Sequence, residues 1–239
     1  MIIKESDNEL AIVLCGHGSR NSNYLLGIKR LEEILSKKLK LNIYLCFIEI
    51  NKPSIEECIN KITKYYNKVL VFPLLLFEGR HLSKDVNERI NSLMENVKKN
   101  VIIIDKLSLV NDIFPIIFNI INQRYSEKFD VLVTSCSFSK NNKVKRELEL
   151  YTNKLSFSLK IQTKFFHFVG EEKNVFKELI RLKNHSLKIL LHPVFFFDGY
   201  LYKKNIKSFS KLFTTINLNP LSHYDEISEA IFRKLIIRI

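Results

Sequence analysis

The segment PLLLFEGRHLSKDV, Pro73 to Val86, is echoed 120 positions later by PVFFFDGYLYKKNI, Pro193 to Ile206, and no other feature of the chain narrows its fold as much. Phe77 falls on Phe197, Glu78 on Asp198 and Gly79 on Gly199. IVLCGHGSRN, Ile12 to Asn21, falls on VLVTSCSFSK, Val131 to Lys140, at an offset of 119. Two copies of one unit are the simplest account. Within the first copy, short β-branched runs at Leu10–Cys15, Asn42–Ile48, Lys68–Pro73 and Val101–Asp105 alternate with helical stripes. Those stripes are Leu25, Ile28, Leu31, Leu35, Leu39, then Ile55, Ile59, Ile62, Tyr66, then Val86, Ile90, Leu93, Val97. A fourth helix is expected over Asp112–Tyr125, after which the pattern restarts with Val131–Ser135. Alternation of this kind is the mark of a parallel sheet with crossover helices. The expected fold is therefore α/β, with two tandem similar domains, 1–127 and 128–239. Each is a four-stranded, mostly parallel sheet flanked by helices.

Composition removes several classes of function. With 46% hydrophobic and 26% charged residues the chain is ordinary for a globular protein. No apolar run approaches the roughly 18 residues of a membrane span. MIIKESDNEL meets charge before a signal-like core can form, so a cytoplasmic protein without a membrane partner is expected. Cys15, Cys46, Cys58 and Cys136 lie far apart, which argues for reduced, buried thiols and against an iron–sulfur cluster or zinc knuckle. The net charge of +13 favours an anionic partner. The lysines are spread along the chain and no nucleic-acid motif is present, which leaves a small, highly charged anion as the stronger reading over nucleic acid.

Two short segments carry chemistry. The first strand runs into Gly16-His17-Gly18-Ser19-Arg20, and the third into Phe77-Glu78-Gly79-Arg80-His81. Open α/β sheets bind ligands at the carboxyl ends of their strands. Flanking glycines let the backbone approach a ligand and free N–H groups for anions. A Gly-His-Gly turn alone is equally compatible with a tight turn bearing a solvated histidine. In a parallel sheet strands one and three end on the same edge, which should bring His17 and His81 to one cleft. Two imidazoles there are suited to a divalent metal and to accepting protons.

GHGSR, the segment FIEINKPSI from Phe47 to Ile55, and PLLLFEGRHLSKDV, in that order, resemble the sirohydrochlorin chelatases, the class II chelatases of the cobalamin and siroheme pathways. The resemblance implies that His17 and His81 bind the incoming metal, that His17 also acts as base, and that Glu49 lies at the cleft. It places Leu76, Phe77, Glu78, Gly79 and Arg80 along the tetrapyrrole. Arg20 and Arg80 are the local partners for its carboxylates. A buried structural Glu49 paired with a lysine is the alternative. The implied partners are sirohydrochlorin and a divalent metal, Co²⁺ first, Fe²⁺ next, Ni²⁺ possible, with no other cofactor. A monomer of two pseudo-symmetric halves is expected.

At the repeat positions Cys136 replaces His17, Leu201 replaces His81, and His167 aligns approximately with Glu49. One site, in the N-terminal half, follows. Whether His167 or Cys136 contributes to it stays open. His192 and His223 read as structural, and His185 as a turn residue. A tetrapyrrole or metal carrier without turnover is the main alternative function, and a basic nucleic-acid-binding protein a more distant one.

Overall fold

A computed structural model describes residues 9–77, 86–125, 129–182 and 187–239. The first half forms the sheet β2-β1-β3-β4, from strands β1 (Leu10–Gly16), β2 (Ile43–Phe47), β3 (Lys68–Pro73) and β4 (Val101–Ile103), all parallel. The second repeats it as β6-β5-β7-β8, from β5 (Val131–Cys136), β6 (Thr163–Phe168), β7 (Ile189–Pro193) and β8 (Thr215–Asn217). The expected pair of four-stranded parallel sheets is what the chain forms.

The helices are α1 (Ser22–Leu39), α2 (Ile55–Ile62), α3 (Asn87–Asn91), α4 (Glu95–Lys98), α5 (Phe114–Arg124), α6 (Asn142–Ser158), α7 (Lys173–Arg181), α8 (Tyr200–Ser210) and α9 (Asp225–Ile236). Asn21 caps α1 through Asn23 N–H. Ser54 and Glu57 form a capping box at the start of α2, closed at both ends at 3.2 and 2.7 Å. The stripe from Val86 to Val97 does not make one helix. Met94 turns extended, and the Ser92 hydroxyl takes the Arg89 carbonyl at 2.8 Å, a local bond that competes with helix continuation.

Alternation along the strands gives each sheet two apolar faces. In the first, Ala11, Val13, Cys15, Val69 and Val71 pack with Ile55, Cys58, Ile59, Ile62, Tyr66, Val86 and Ile90. Ile12, Leu14, Leu70 and Phe72 point the other way, all buried. The second sheet keeps the first pattern on one face, with Val131, Val133, Val175, Leu179, Ile189, Leu191 and Phe209. Its other face differs. Where the register sets Leu14 beside Phe72, it sets Thr134 beside His192, and both are fully buried. His192 Nε2 meets the Tyr151 hydroxyl at 2.9 Å, and Thr134 bonds to Thr152.

The compact units do not follow the repeat boundary at 127/128. Residues 108–227 form one, and residues 1–107 with 228–239 the other. The segment before β5 belongs with α6, because Lys154 donates to the Val110 carbonyl at 3.1 Å and lies over the Phe114 ring. The end of α9 belongs with the first sheet. Lys38 pairs with Glu229 at 2.6 Å, and Lys68 donates to the Arg238 carbonyl at 2.7 Å. Among the described residues no helix is long and apolar enough to cross a membrane.

Candidate functional site

The turn after β1 is stitched on both sides. Leu74 N–H donates to the Cys15 carbonyl at 2.8 Å, Ile48 N–H to Gly16 at 2.9 Å, and Glu49 N–H to His17 at 2.9 Å. The extensions of β2 and β3 therefore hold His17 between them at the carboxyl edge of the sheet. Gly18 is sterically required, and Gly16 is closely packed by side chains. A Cβ on Gly16 would stand 2.6 Å from the Tyr24 hydroxyl and 2.8 Å from Ile28. Gly18, at φ 101°, would place one 1.9 Å from the Glu49 carbonyl oxygen.

The glycines do not free N–H groups for an anion, as the sequence reading expected. Gly18 N–H donates to the Tyr24 hydroxyl at 3.1 Å, and Ser19 N–H to Asn51 Oδ1 at 2.6 Å. The close approach they permit is that of the Glu49 loop. Burial pushes the Tyr24 phenol up to about 12, so it stays a neutral hydroxyl under the turn. Sequence reasoning missed Tyr24 and Asn51. Asn51 lies inside the second motif, but nothing in a linear pattern points to Tyr24, which reaches Gly18 only once α1 has wound.

His17 is half-buried, its exposure lying away from an enclosed Nδ1. Glu49 is exposed, and among the described residues its carboxylate makes no ion pair, which sets aside the buried, lysine-paired alternative. Arg20 is exposed. Leu76 is buried and Phe77 half-buried just past β3, with the Leu76 carbonyl accepting from Lys106 Nζ at 2.9 Å. Glu78, Gly79, Arg80 and His81 lie outside the described residues, as does His185. The β1–β3 register, Cys15 beside Pro73, ends both strands at one edge. All four cysteines are free and buried. Cys15, Cys46 and Cys58 share the core beneath the turn, and bonds to its two neighbours raise the Cys46 thiol.

The second half requires a one-residue correction. Val194 N–H donates to Ser135 as Leu74 does to Cys15, and Val169 N–H to Cys136 as Ile48 does to Gly16. Asn141 caps α6 as Asn21 caps α1. The offset is thus 120 here too, and His17 corresponds to Ser137 rather than Cys136. Cys136 is the buried last residue of β5, its thiol raised by desolvation. His167 pairs in register with Ser135 as Cys46 does with Cys15, so it does not stand at the Glu49 position. It is buried, donates from Nδ1 to the Phe168 carbonyl at 2.9 Å, and accepts at Nε2 from Asn205 at 3.5 Å. Desolvation lowers its pKa. His192 is fully buried and depressed to about 3 by the same cause, a structural residue as expected. His223 ends a short 3₁₀ turn, Leu221–His223.

Residues 11–128 match the CbiX family model. A sirohydrochlorin cobaltochelatase of Saccharolobus islandicus, strain L.S.2.15 / Lassen #1, is 30% identical over 130 residues, which are 50% of this chain and 99% of that protein. SirB from Bacillus subtilis, solved with Fe³⁺, superposes with a TM-score of 0.78 at 18% identity, over 95% of this chain and 94% of that one. SirB from Bacillus subtilis subspecies spizizenii, in complex with cobalt, gives 0.76 at 16% identity and the same coverage. At such identities these two structures speak for the fold alone, and the two-half architecture is common to all three chains.

Proposed function

The chain belongs to the CbiX family of sirohydrochlorin chelatases, and from that premise we propose that it inserts Co²⁺, or with second preference Fe²⁺, into sirohydrochlorin with release of two protons. The observation that carries this reading is the anchoring of His17. Its carbonyl accepts from Glu49 N–H, and the closely packed Gly16 and the sterically required Gly18 flank it at the carboxyl edge of β1. A side chain used for chemistry has to be held by its surroundings, and this turn is.

On this reading the macrocycle gives up two pyrrolic protons as one M²⁺ enters. His17 and His81 take the incoming metal together, which leaves coordination positions open for transfer to the ring. His17 accepts a pyrrolic proton, and the exposed carboxylate of Glu49, joined to it through the backbone, assists its exit to water. Arg20 and Arg80 pair with substrate carboxylates, and Leu76, Phe77, Glu78 and Gly79 line the ring. The divalent metal is a substrate, and no further cofactor is required. Cobalt is placed first because the Saccharolobus relative is named a cobaltochelatase, and iron follows as the metal of siroheme. We place the protein in the cytoplasm, working as a monomer.

Purified protein mixed with sirohydrochlorin and Co²⁺ or Fe²⁺ should change the absorption spectrum faster than the spontaneous reaction. His17→Ala and His81→Ala should each lower that rate by about 100-fold or more. Unchanged rates in both variants would overturn the mechanism, and a spectral shift on binding without turnover would indicate a carrier.

A further inference from the structure

Three thiols meet beneath the His17 turn. Cys15 and Cys46 sit in register on the paired strands β1 and β2, and Cys58, on α2, packs onto the same face of the sheet. Cys46 is hydrogen-bonded to both of the others. The fold does not demand sulfur here, since the second sheet places Ser135 and His167 at the register positions of Cys15 and Cys46. Cys15 and Cys46 have no exposed surface, whereas Cys58 keeps 5%, so a small reagent arriving from solvent meets Cys58 first. The Cys46 thiol donates to the Cys58 sulfur and lowers its pKa against the opposing effect of burial, and Lys61 adds to the lowering. Cys58 is thus the better nucleophile of the pair, with Cys46 already in hydrogen-bond reach to act second.

The pair brackets residues 47–57, the segment that holds the His17 turn. Phe47 N–H donates to the Pro53 carbonyl at 3.0 Å, Glu49 N–H to His17 at 2.9 Å, and Asn51 Oδ1 takes Ser19 N–H at 2.6 Å. Between these bonds Ile50, β-branched and exposed, is held at φ 67°. A strained loop tied in this way keeps its shape only while its two ends keep their spacing. We propose that Cys46 and Cys58 are an oxidant-sensitive dithiol, which a hydroperoxide converts to a disulfide that draws α2 onto β2 and displaces the Glu49 loop from the His17 turn. The Cys58 thiolate attacks one peroxide oxygen, the O–O bond breaks, and the other oxygen leaves as hydroxide, which takes up the thiol proton to become water. The Cys46 sulfur then displaces the hydroxyl of the Cys58 sulfenic acid: an S–S bond forms, the S–O bond breaks, and a second water carries off the Cys46 proton. Two electrons pass from the two thiols to the peroxide. The effect on metal insertion rests on the chelatase reading, and the disulfide itself does not.

The test uses the full chain, cleared of metal by a chelator and treated with hydrogen peroxide at pH 7.5, with catalase added before any further step. Mass spectrometry of the peptides after unfolding and alkylation should show Cys46 joined to Cys58, with Cys15 and Cys136 alkylated. In Cys46→Ser, Cys58 should stop at the sulfenic acid and be captured by dimedone, and in Cys58→Ser no thiol of the folded chain should react. Hydrogen exchange at the Ser19 and Glu49 amides should quicken on oxidation. Oxidised wild type should insert Co²⁺ about tenfold more slowly than reduced and recover in dithiothreitol, while Cys58→Ser should keep its rate through the same treatment. Circular dichroism and urea midpoints check that the variants fold, and the wild-type peptide map needs no variant. Thiols that stay unmodified, a bond that joins Cys15 instead, or a Cys46–Cys58 bond that forms only in urea would each overturn the proposal. So would the expected bond with exchange and insertion rates both unchanged. If reduced wild type inserts no metal, the chelatase reading fails, and the peptide map with the exchange rates still decides this one.

Discussion

The buried His192–Tyr151 pair should make the second unit acid-sensitive, and the first half shows how to remove the effect. His192 has no exposed surface, and its pKa falls from 6.5 to about 3 because burial disfavours the imidazolium. The folded chain keeps the ring neutral while the unfolded chain takes up a proton below pH 6.5. This contribution to stability is therefore whole above pH 6.5 and is lost as pH falls toward 3. At about 1.36 kcal/mol per pH unit, going from pH 7.5 to 5.0 removes roughly 2 kcal/mol through this one group. At the matching positions the first half carries Phe72 and Leu31, both buried and neither titratable. His192→Phe alone would strand the Tyr151 hydroxyl, so the informative protein is Tyr151→Phe/His192→Phe. Urea unfolding followed by circular dichroism at pH 7.5 and 5.0 should show the double variant losing about 2 kcal/mol less than wild type across that interval. His167, lowered by burial in the same direction, remains in both proteins and cancels from the difference. Equal acid losses in the two proteins would refute the argument.

Two further outcomes follow from the His17 turn. Gly18→Ala meets both a left-handed φ and the Glu49 carbonyl at 1.9 Å, and should cost about 3 kcal/mol in urea stability and depress metal insertion at every pH; wild-type behaviour would show that the turn is pliable. Tyr24→Phe removes the acceptor of Gly18 N–H and should cost about 1–3 kcal/mol by the same assay, with KM for sirohydrochlorin less affected than kcat because the change acts through the placement of His17.

Most of the framework was legible because strands and helices write different periods into the chain. Leu10–Gly16 and Lys68–Pro73 emerged within a residue of expectation, and the stripe beginning at Ile55 marked the start of α2. Three things escaped. Ser92 and Met94 broke a helix whose apolar stripe was intact, since the stripe records burial and not backbone continuity. The 119 offset followed the letters of GHGSRN and misaligned His17 with Cys136, where carbonyl bonding from Ile48 and Val169 aligns it with Ser137. The purpose of Gly16 and Gly18 was inverted as well, because a glycine announces a close approach without saying what approaches. Of the proposed site, the His17 turn was readable from its neighbours in sequence. Tyr24 was not, since it becomes a neighbour only through the fold.

The exchange of terminal segments between the two units has a consequence for synthesis. Residues 108–227 are contiguous, so the second unit has its whole chain once Ile227 has emerged. The unit carrying His17 must still wait for residues 228–239, where Glu229 and the Arg238 carbonyl meet Lys38 and Lys68. Domains ordinarily finish in the order in which they are translated. Here the order is reversed: the half encoded first is completed last, and a chain stopped anywhere short of α9 leaves unfinished the unit that carries His17.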